Sequence, residues 1–142
     1  MIGIIVVSHG NISKEMVNTT LTILPSAKNI VPVTVDSDAK KETNLDVIKN
    51  AISRADNGDG VVILTDMFGG TPSNSCLPFI CEGKVEVITG VNLPMLIKIA
   101  SLRMEMNFKE LPKFIKSYGR KNITIASDVL KGEVQDYGRN NC

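Results

Sequence analysis

Short apolar runs alternate along the chain with segments whose apolar positions recur at helical spacing. The runs Ile2–Val7 and Val61–Thr65 are continuously apolar and rich in β-branched residues, which is typical of central strands buried on both faces. Ile30–Val35 and Val85–Thr89 are two further predicted strands, and Pro32 favours a sheet edge for the first of them. The pattern therefore predicts strands 1 to 4 of an α/β domain.

Helical segments fill the intervals between these strands. The predicted helices run from Ser13 to Leu24, from Thr43 to Ala55, from Thr71 onward, from Asn92 to Met104 and from Asn107 to Tyr118. Thr43 and Asp46 resemble a capping box, and Thr71 is the expected N-cap before a proline. Gly119 is expected to end the last helix. The short run Ile123–Ala126 is predicted to be a fifth strand.

The alternation of strands and helices predicts a doubly wound, mostly parallel sheet with helices on both faces and right-handed crossovers. The expected strand order is 2-1-3-4. In such sheets ligands bind beyond the carboxyl ends of the strands, at the point where the strand order reverses. His9 and Asp66 directly follow strands 1 and 3, so we expect their side chains to be neighbours.

Length and composition fit one folded domain, which we expect over residues 1–130, followed by a polar tail over 131–142. The chain has 142 residues with a formal net charge of +1, and its basic residues form no run, which argues against a nucleic-acid partner. The three cysteines are odd in number, and there is neither a signal peptide nor an apolar stretch of membrane-spanning length. These features favour the cytoplasm. Cys76 and Cys81 lack a neighbouring histidine and are interpreted as inert thiols, not zinc ligands.

His9 is the only histidine, and its setting indicates phosphoryl chemistry. A neutral imidazole can attack phosphorus, while Asp66 can accept a hydrogen bond from the other ring nitrogen and stabilise the charge that develops. Gly69 and Gly70 allow close backbone approach, and the N–H groups that open the next helix, with the Thr71 hydroxyl, can bind phosphoryl oxygens. We therefore expect a catalytic pair and a phosphate-binding loop that require neither a metal nor a cofactor.

Three segments carry a family resemblance: Ile4–Gly10, Asp66–Asn74 and Thr89–Met95. They resemble the signature segments of the enzyme IIA domain of the mannose family of the bacterial phosphoenolpyruvate-dependent sugar phosphotransferase system (PTS). The resemblance implies that His9 is the phosphorylated histidine and that Asp66 orients it. It also implies that Gly70 and Thr71 lie against the phosphoryl group.

The same resemblance implies partners. The phosphoryl group would come from the phosphohistidine carrier HPr and pass to a separate IIB protein for sugar uptake, with the membrane subunits IIC and IID involved only indirectly. The family forms homodimers in which a carboxyl-terminal strand, here Ile123–Ala126, is exchanged and pairs antiparallel with the partner's sheet. The expectation of a separate IIB protein rests on the chain ending at residue 142.

Other functions remain open at this stage. The phosphocarrier subunit of a dihydroxyacetone kinase system shares the fold and the histidine, and a regulatory protein read out by its phosphorylation state would have an identical site. A receiver domain would need an acidic pair after strand 1, where His9-Gly10 stands. A hydrolase with Ser8 or Ser73 as its nucleophile would need a Gly-x-Ser-x-Gly pattern, and this sequence has none.

Overall fold

Four parallel strands form the centre of the structure, a computed structural model that describes residues 1–137. They are β1 (Gly3–Ser8), β2 (Ile30–Thr34), β3 (Val61–Thr65) and β4 (Val85–Thr89). The sheet order is β2-β1-β3-β4, which confirms the predicted order. Strands β1 and β3 are buried along their whole length because each has a strand on both sides and helices on both faces.

Residues 1–137 contain six helices. They are α1 (Ile12–Ile23), α2 (Lys41–Ala55), α3 (Thr71–Cys76), α4 (Leu93–Leu102), α5 (Leu111–Lys121) and α6 (Ala126–Tyr137). A short 3-10 turn, Leu77–Phe79, extends α3. Helices α1, α4 and α5 enclose one apolar cluster with one face of the sheet, and α2 and α3 enclose a second cluster with the other face.

The path of the chain explains this division of the helices. The chain moves outward from β1 to β2 and then crosses back over β1 to β3, so right-handed crossovers place α1 and α2 on opposite faces. The reversal opens a crevice between the carboxyl ends of β1 and β3. Pro32 lies exposed on β2, at the sheet edge that the sequence predicted.

Several helix termini differ from the sequence prediction. Helix α4 ends at Leu102 and not at Met104, and α5 begins at Leu111 and not at Asn107. Helix α2 begins at Lys41, and the Thr43 N–H donates to the Lys40 carbonyl, so Thr43 lies in the first turn and is not the cap. Helix α5 does not end at Gly119 but continues to Lys121. Gly119 serves instead as a close-packing position, because a Cβ there would lie 2.8 Å from Cε of Met95 in the adjoining helix.

The predicted fifth strand is wrong for this structure. Residues 122–125 are irregular, and helix α6 begins at Ala126. The N–H groups of Asp128 and Val129 donate to the Ile125 carbonyl, so that carbonyl belongs to the first turn of α6. Helix α6 also crosses the predicted domain end at residue 130, and positions 138–142 of the predicted tail lie outside the described residues. No helix in residues 1–137 is long and apolar enough to span a bilayer.

Candidate active site at the carboxyl ends of β1 and β3

The crevice brings His9 and Asp66 into direct contact, as the strand order predicted. The distance between His9 Nδ1 and Asp66 Oδ2 is 2.7 Å, and the His9 backbone N–H donates to the same oxygen at 2.9 Å. The other carboxylate oxygen, Oδ1, accepts the backbone N–H of Met67 at 2.8 Å. The carboxylate is 11% exposed and the imidazole 40%, so the histidine faces solvent while the aspartate is shielded beneath it.

The hydrogen bonds around Asp66 keep its side chain ionised. Burial by itself would raise the pKa of this carboxyl group, but the N–H groups of His9 and Met67 and the His9 ring hold the pKa below its ordinary value. A carboxylate can only accept hydrogen bonds, so Nδ1 of a neutral His9 carries the ring hydrogen. The lone pair of the imidazole is therefore on Nε2, on the side away from Asp66.

The glycine loop that precedes α3 lies against this free side of the ring. A Cβ added to Gly70 would be 2.8 Å from Cε1 and 3.4 Å from Nε2 of His9, so only glycine fits without moving the imidazole. Gly69 has φ +84°, a left-handed conformation that glycine adopts without strain. The loop backbone therefore approaches the ring more closely than a chain with side chains could.

Helix α3 begins one residue earlier than the sequence predicted, at the residue that was expected to be its cap. The Asn74 N–H donates to the Gly70 carbonyl at 2.9 Å, which makes Gly70 the N-cap and Thr71 the first helical residue. The prediction of Thr71 as the cap is therefore wrong. The backbone N–H groups of Gly70, Thr71 and Ser73 donate no hydrogen bond to any residue that the structure describes. These donors are available to a ligand beside the imidazole.

The Gly69 N–H is not available in the same way, because it donates to Ser73 Oγ at 3.0 Å. Sequence reasoning considered Ser73 only as a nucleophile and missed this contact. The signal that could have indicated it is a serine in the first turn of a helix, where hydroxyls commonly bond to nearby backbone groups.

Neither serine of the hydrolase alternative forms a hydrogen bond with the His9 ring. Ser8 Oγ accepts the Ser13 N–H at 2.7 Å and donates to the His9 carbonyl at 3.0 Å. Ser73 Oγ bonds only to the glycine loop. Both hydroxyls hold backbone in place, so the geometry does not supply a serine nucleophile activated by His9.

Asn92 acts as a helix cap, as the sequence favoured. Its Oδ1 accepts the Met95 N–H at 3.0 Å, and its Nδ2 donates to the Gly119 carbonyl at 3.0 Å, which ties α4 to α5.

Cys76 is fully buried beneath the site, and burial, with the nearby charge of Asp66, raises the pKa of its thiol to about 12. Residues 1–137 contain no cluster of three or more metal-ligating side chains.

Comparison with known proteins defines the class and then the family. A family profile described as "PTS system fructose IIA component", EIIA-man, matches residues 3–116, a range that contains the whole site. The chain is an EIIA component of the phosphotransferase system, a class of phosphotransferases. Within that class it belongs to the mannose family, so the resemblance seen in the sequence is confirmed.

Individual relatives agree with this assignment. The fructose-specific EIIA component of Bacillus subtilis is 27% identical over 132 residues, covering 92% of this chain and 90% of that protein. The mannose-specific EIIAB component of Escherichia coli K12 is 27% identical over 124 residues, which are 86% of this chain and only 38% of that protein. The crystal structure of an EIIA component from Streptococcus agalactiae superposes with a TM-score of 0.80 at 22% identity, covering 90% of this chain and 99% of that one. This structural match shows the shared fold.

Proposed function

We propose that this protein is a phosphoryl carrier that accepts a phosphoryl group from phospho-HPr on His9 and passes it to a IIB protein during sugar uptake. The observation that carries the proposal is the contact between His9 Nδ1 and Asp66 Oδ2 at 2.7 Å, which leaves Nε2 as the nucleophile beside the glycine loop. Family membership supports the same reaction.

The proposed transfer needs no external proton. The Nε2 lone pair of His9 forms a bond to phosphorus as the P–N bond to the donor's histidine breaks. The electron pair of that bond returns to the donor ring, which starts as a phosphorylated imidazolium with a hydrogen on its other nitrogen and therefore leaves as a neutral imidazole. His9 becomes a phosphorylated imidazolium, and the Asp66 carboxylate stabilises its positive charge through Nδ1–H. The transition state is loose, so positioning and electrostatics account for most of the catalysis.

The glycine loop has two separate roles in this proposal. Gly70 and Thr71 supply backbone N–H groups that have no other partner in the described part of the chain, and these bind the phosphoryl oxygens. The Thr71 hydroxyl, which makes no hydrogen bond there either, is a further donor. Gly69 contributes the left-handed turn that brings the loop to the ring.

The partners and the location follow from the same reaction. HPr and IIB meet the protein in the cytoplasm, and IIC and IID are reached only through IIB.

The protein acts as a homodimer. The apolar side chains of Ile123 and Ile125 are 76% and 66% exposed, and they are candidates for contact with a partner subunit. Sedimentation equilibrium should give twice the chain mass, and a monomer at micromolar concentration would contradict the dimer.

The decisive experiment reconstitutes the relay. Incubation with phosphoenolpyruvate, enzyme I and HPr should add one acid-labile phosphate per chain, on the peptide that contains His9. The His9→Ala variant, checked for folding by circular dichroism, should take up none. Full labelling of that variant would overturn the assignment of the nucleophile. Absence of labelling in the wild type, with an active HPr control, would overturn the carrier function itself.

A further inference from the structure

Ser73 connects helix α3 to the glycine loop through two hydrogen bonds of its side chain. Its Oγ accepts the Gly69 N–H at 3.0 Å and donates to the Gly70 carbonyl at 3.3 Å. The side chain is fully buried, so water does not compete for these bonds. One hydroxyl therefore holds the first N–H and the last carbonyl of the Gly69–Gly70 pair.

These two glycines need such a restraint. Glycine has the widest backbone freedom of any residue, and two in succession give the loop no side chain of its own to anchor it. Gly70 also faces the His9 ring, because a Cβ added to it would lie 2.8 Å from Cε1. The position of the loop relative to Nε2 therefore depends on what holds Gly69 and Gly70.

Other side chains of α3 do not supply an equivalent restraint. Asn74 Nδ2 reaches the Gly69 carbonyl only at 3.4 Å from an exposed position. The Thr71 hydroxyl makes no hydrogen bond within residues 1–137, and neither does the buried Ser75 hydroxyl of the same helix. Ser73 is thus distinguished from its neighbours by its contacts and not by its residue type.

We infer that Ser73 is a positioning residue for phosphoryl transfer. Its hydroxyl fixes the Gly69–Gly70 turn against the imidazole, so that the N–H groups of Gly70 and Thr71 face a phosphoryl group on Nε2. Ser73 itself does not touch the reacting atoms. This inference rests on the proposed function, in which His9 carries the phosphoryl group.

The test compares Ser73→Ala with Ser73→Thr, which retains a hydroxyl, and with Ser75→Ala, which removes a buried hydroxyl of the same helix that has no bond to the loop. Hydrogen exchange of the Gly69 amide is measured in the unphosphorylated protein. Wild type, Ser73→Thr and Ser75→Ala should protect this amide, and Ser73→Ala should exchange it about tenfold faster. Equal exchange in wild type and Ser73→Ala would show that the hydroxyl does not hold the loop and would overturn the inference.

The kinetic measurement is the steady-state transfer from phospho-HPr. Ser73→Ala should lower kcat about tenfold with KM for phospho-HPr unchanged, Ser73→Thr should restore most of the rate, and Ser75→Ala should match the wild type. An unchanged kcat in Ser73→Ala, or an equal loss in Ser75→Ala, would overturn the positioning role. If Ser73→Ala does not fold, Ser73→Thr is compared with Ser73→Val, because valine has the shape of threonine without the hydroxyl. The same differences in amide exchange and in kcat are then expected between these two variants. A wild type that takes no phosphate would instead refute the proposed function.

Discussion

One oxygen of Asp66, Oδ2, accepts both the backbone N–H and the ring Nδ1 of His9, at 2.9 and 2.7 Å. The histidine is therefore held at its main chain and at its imidazole by a single atom. Met67 holds the other carboxylate oxygen, so the carboxyl group cannot rotate without breaking a third hydrogen bond. This arrangement fixes the direction in which Nε2 points.

Replacing Asp66 with asparagine should slow transfer without unfolding the protein. An amide has one acceptor oxygen, so it cannot accept from both backbone N–H groups and the ring, and it carries no charge to stabilise an imidazolium. We expect the rate of His9 phosphorylation to fall by about ten- to a hundredfold, by analogy with the loss when a carboxylate partner of a metal-binding histidine is removed. Rapid-quench measurement with phospho-HPr tests this, with Asp46→Asn on the exposed face of α2 as control. A rate equal to that of the control would remove Asp66 from the mechanism.

Acid should remove the contribution of Asp66 to stability. Its pKa in the folded protein is below that of the unfolded chain, about 3.9, so the stabilisation is complete above that pH and is lost as the pH falls through the folded value. The difference in Tm between the wild type and Asp66→Asn should therefore shrink as the pH falls below about 4. A difference that grows below about pH 4 would contradict the lowered pKa.

The two loop glycines should respond differently to alanine. Gly70 has an extended backbone that any residue can adopt, so Gly70→Ala is expected to displace the His9 ring and abolish phosphorylation with little change in stability. At Gly69, φ is +84° and a Cβ meets nothing within 4 Å, so alanine should cost about 1 to 2 kcal/mol of backbone strain. Thermal unfolding and phosphate labelling of both variants test the contrast. Full labelling of Gly70→Ala would mean that the ring is not confined as the structure indicates.

Cysteine alkylation should discriminate between two thiols. Cys76 is buried with its pKa raised to about 12, while Cys81 is exposed. Because the thiolate is the reactive form, iodoacetamide at pH 8 should modify Cys81 and leave Cys76 intact in the folded protein. Peptide mapping by mass spectrometry measures both sites, and urea should make both reactive. Modification of Cys76 at the rate of Cys81 without urea would contradict its burial.

The sequence alone was sufficient for the sheet and for the pairing at its centre. Strands that are buried on both faces are continuously apolar and do not alternate with polar residues. The apolar runs in the sequence therefore predicted β1 and β3 closely. Pro32 indicated the edge strand, and the order of the sheet then made His9 and Asp66 neighbours. These predictions depend on local composition and on topological rules that hold for the whole fold class.

Tertiary contacts decided what local composition could not. Ile123–Ile125 has the residues of a strand, yet the Ile125 carbonyl enters the first turn of α6, because a strand exists only where a neighbour offers hydrogen bonds. The N-cap of α3 is Gly70 and not the predicted Thr71. Gly119, which was predicted to end α5, instead packs closely against Met95. The hydrogen bonds of Ser73 were decided in the same way. Its residue type permits many hydrogen bonds, and only the folded loop determined that two of them go to the glycines beside His9.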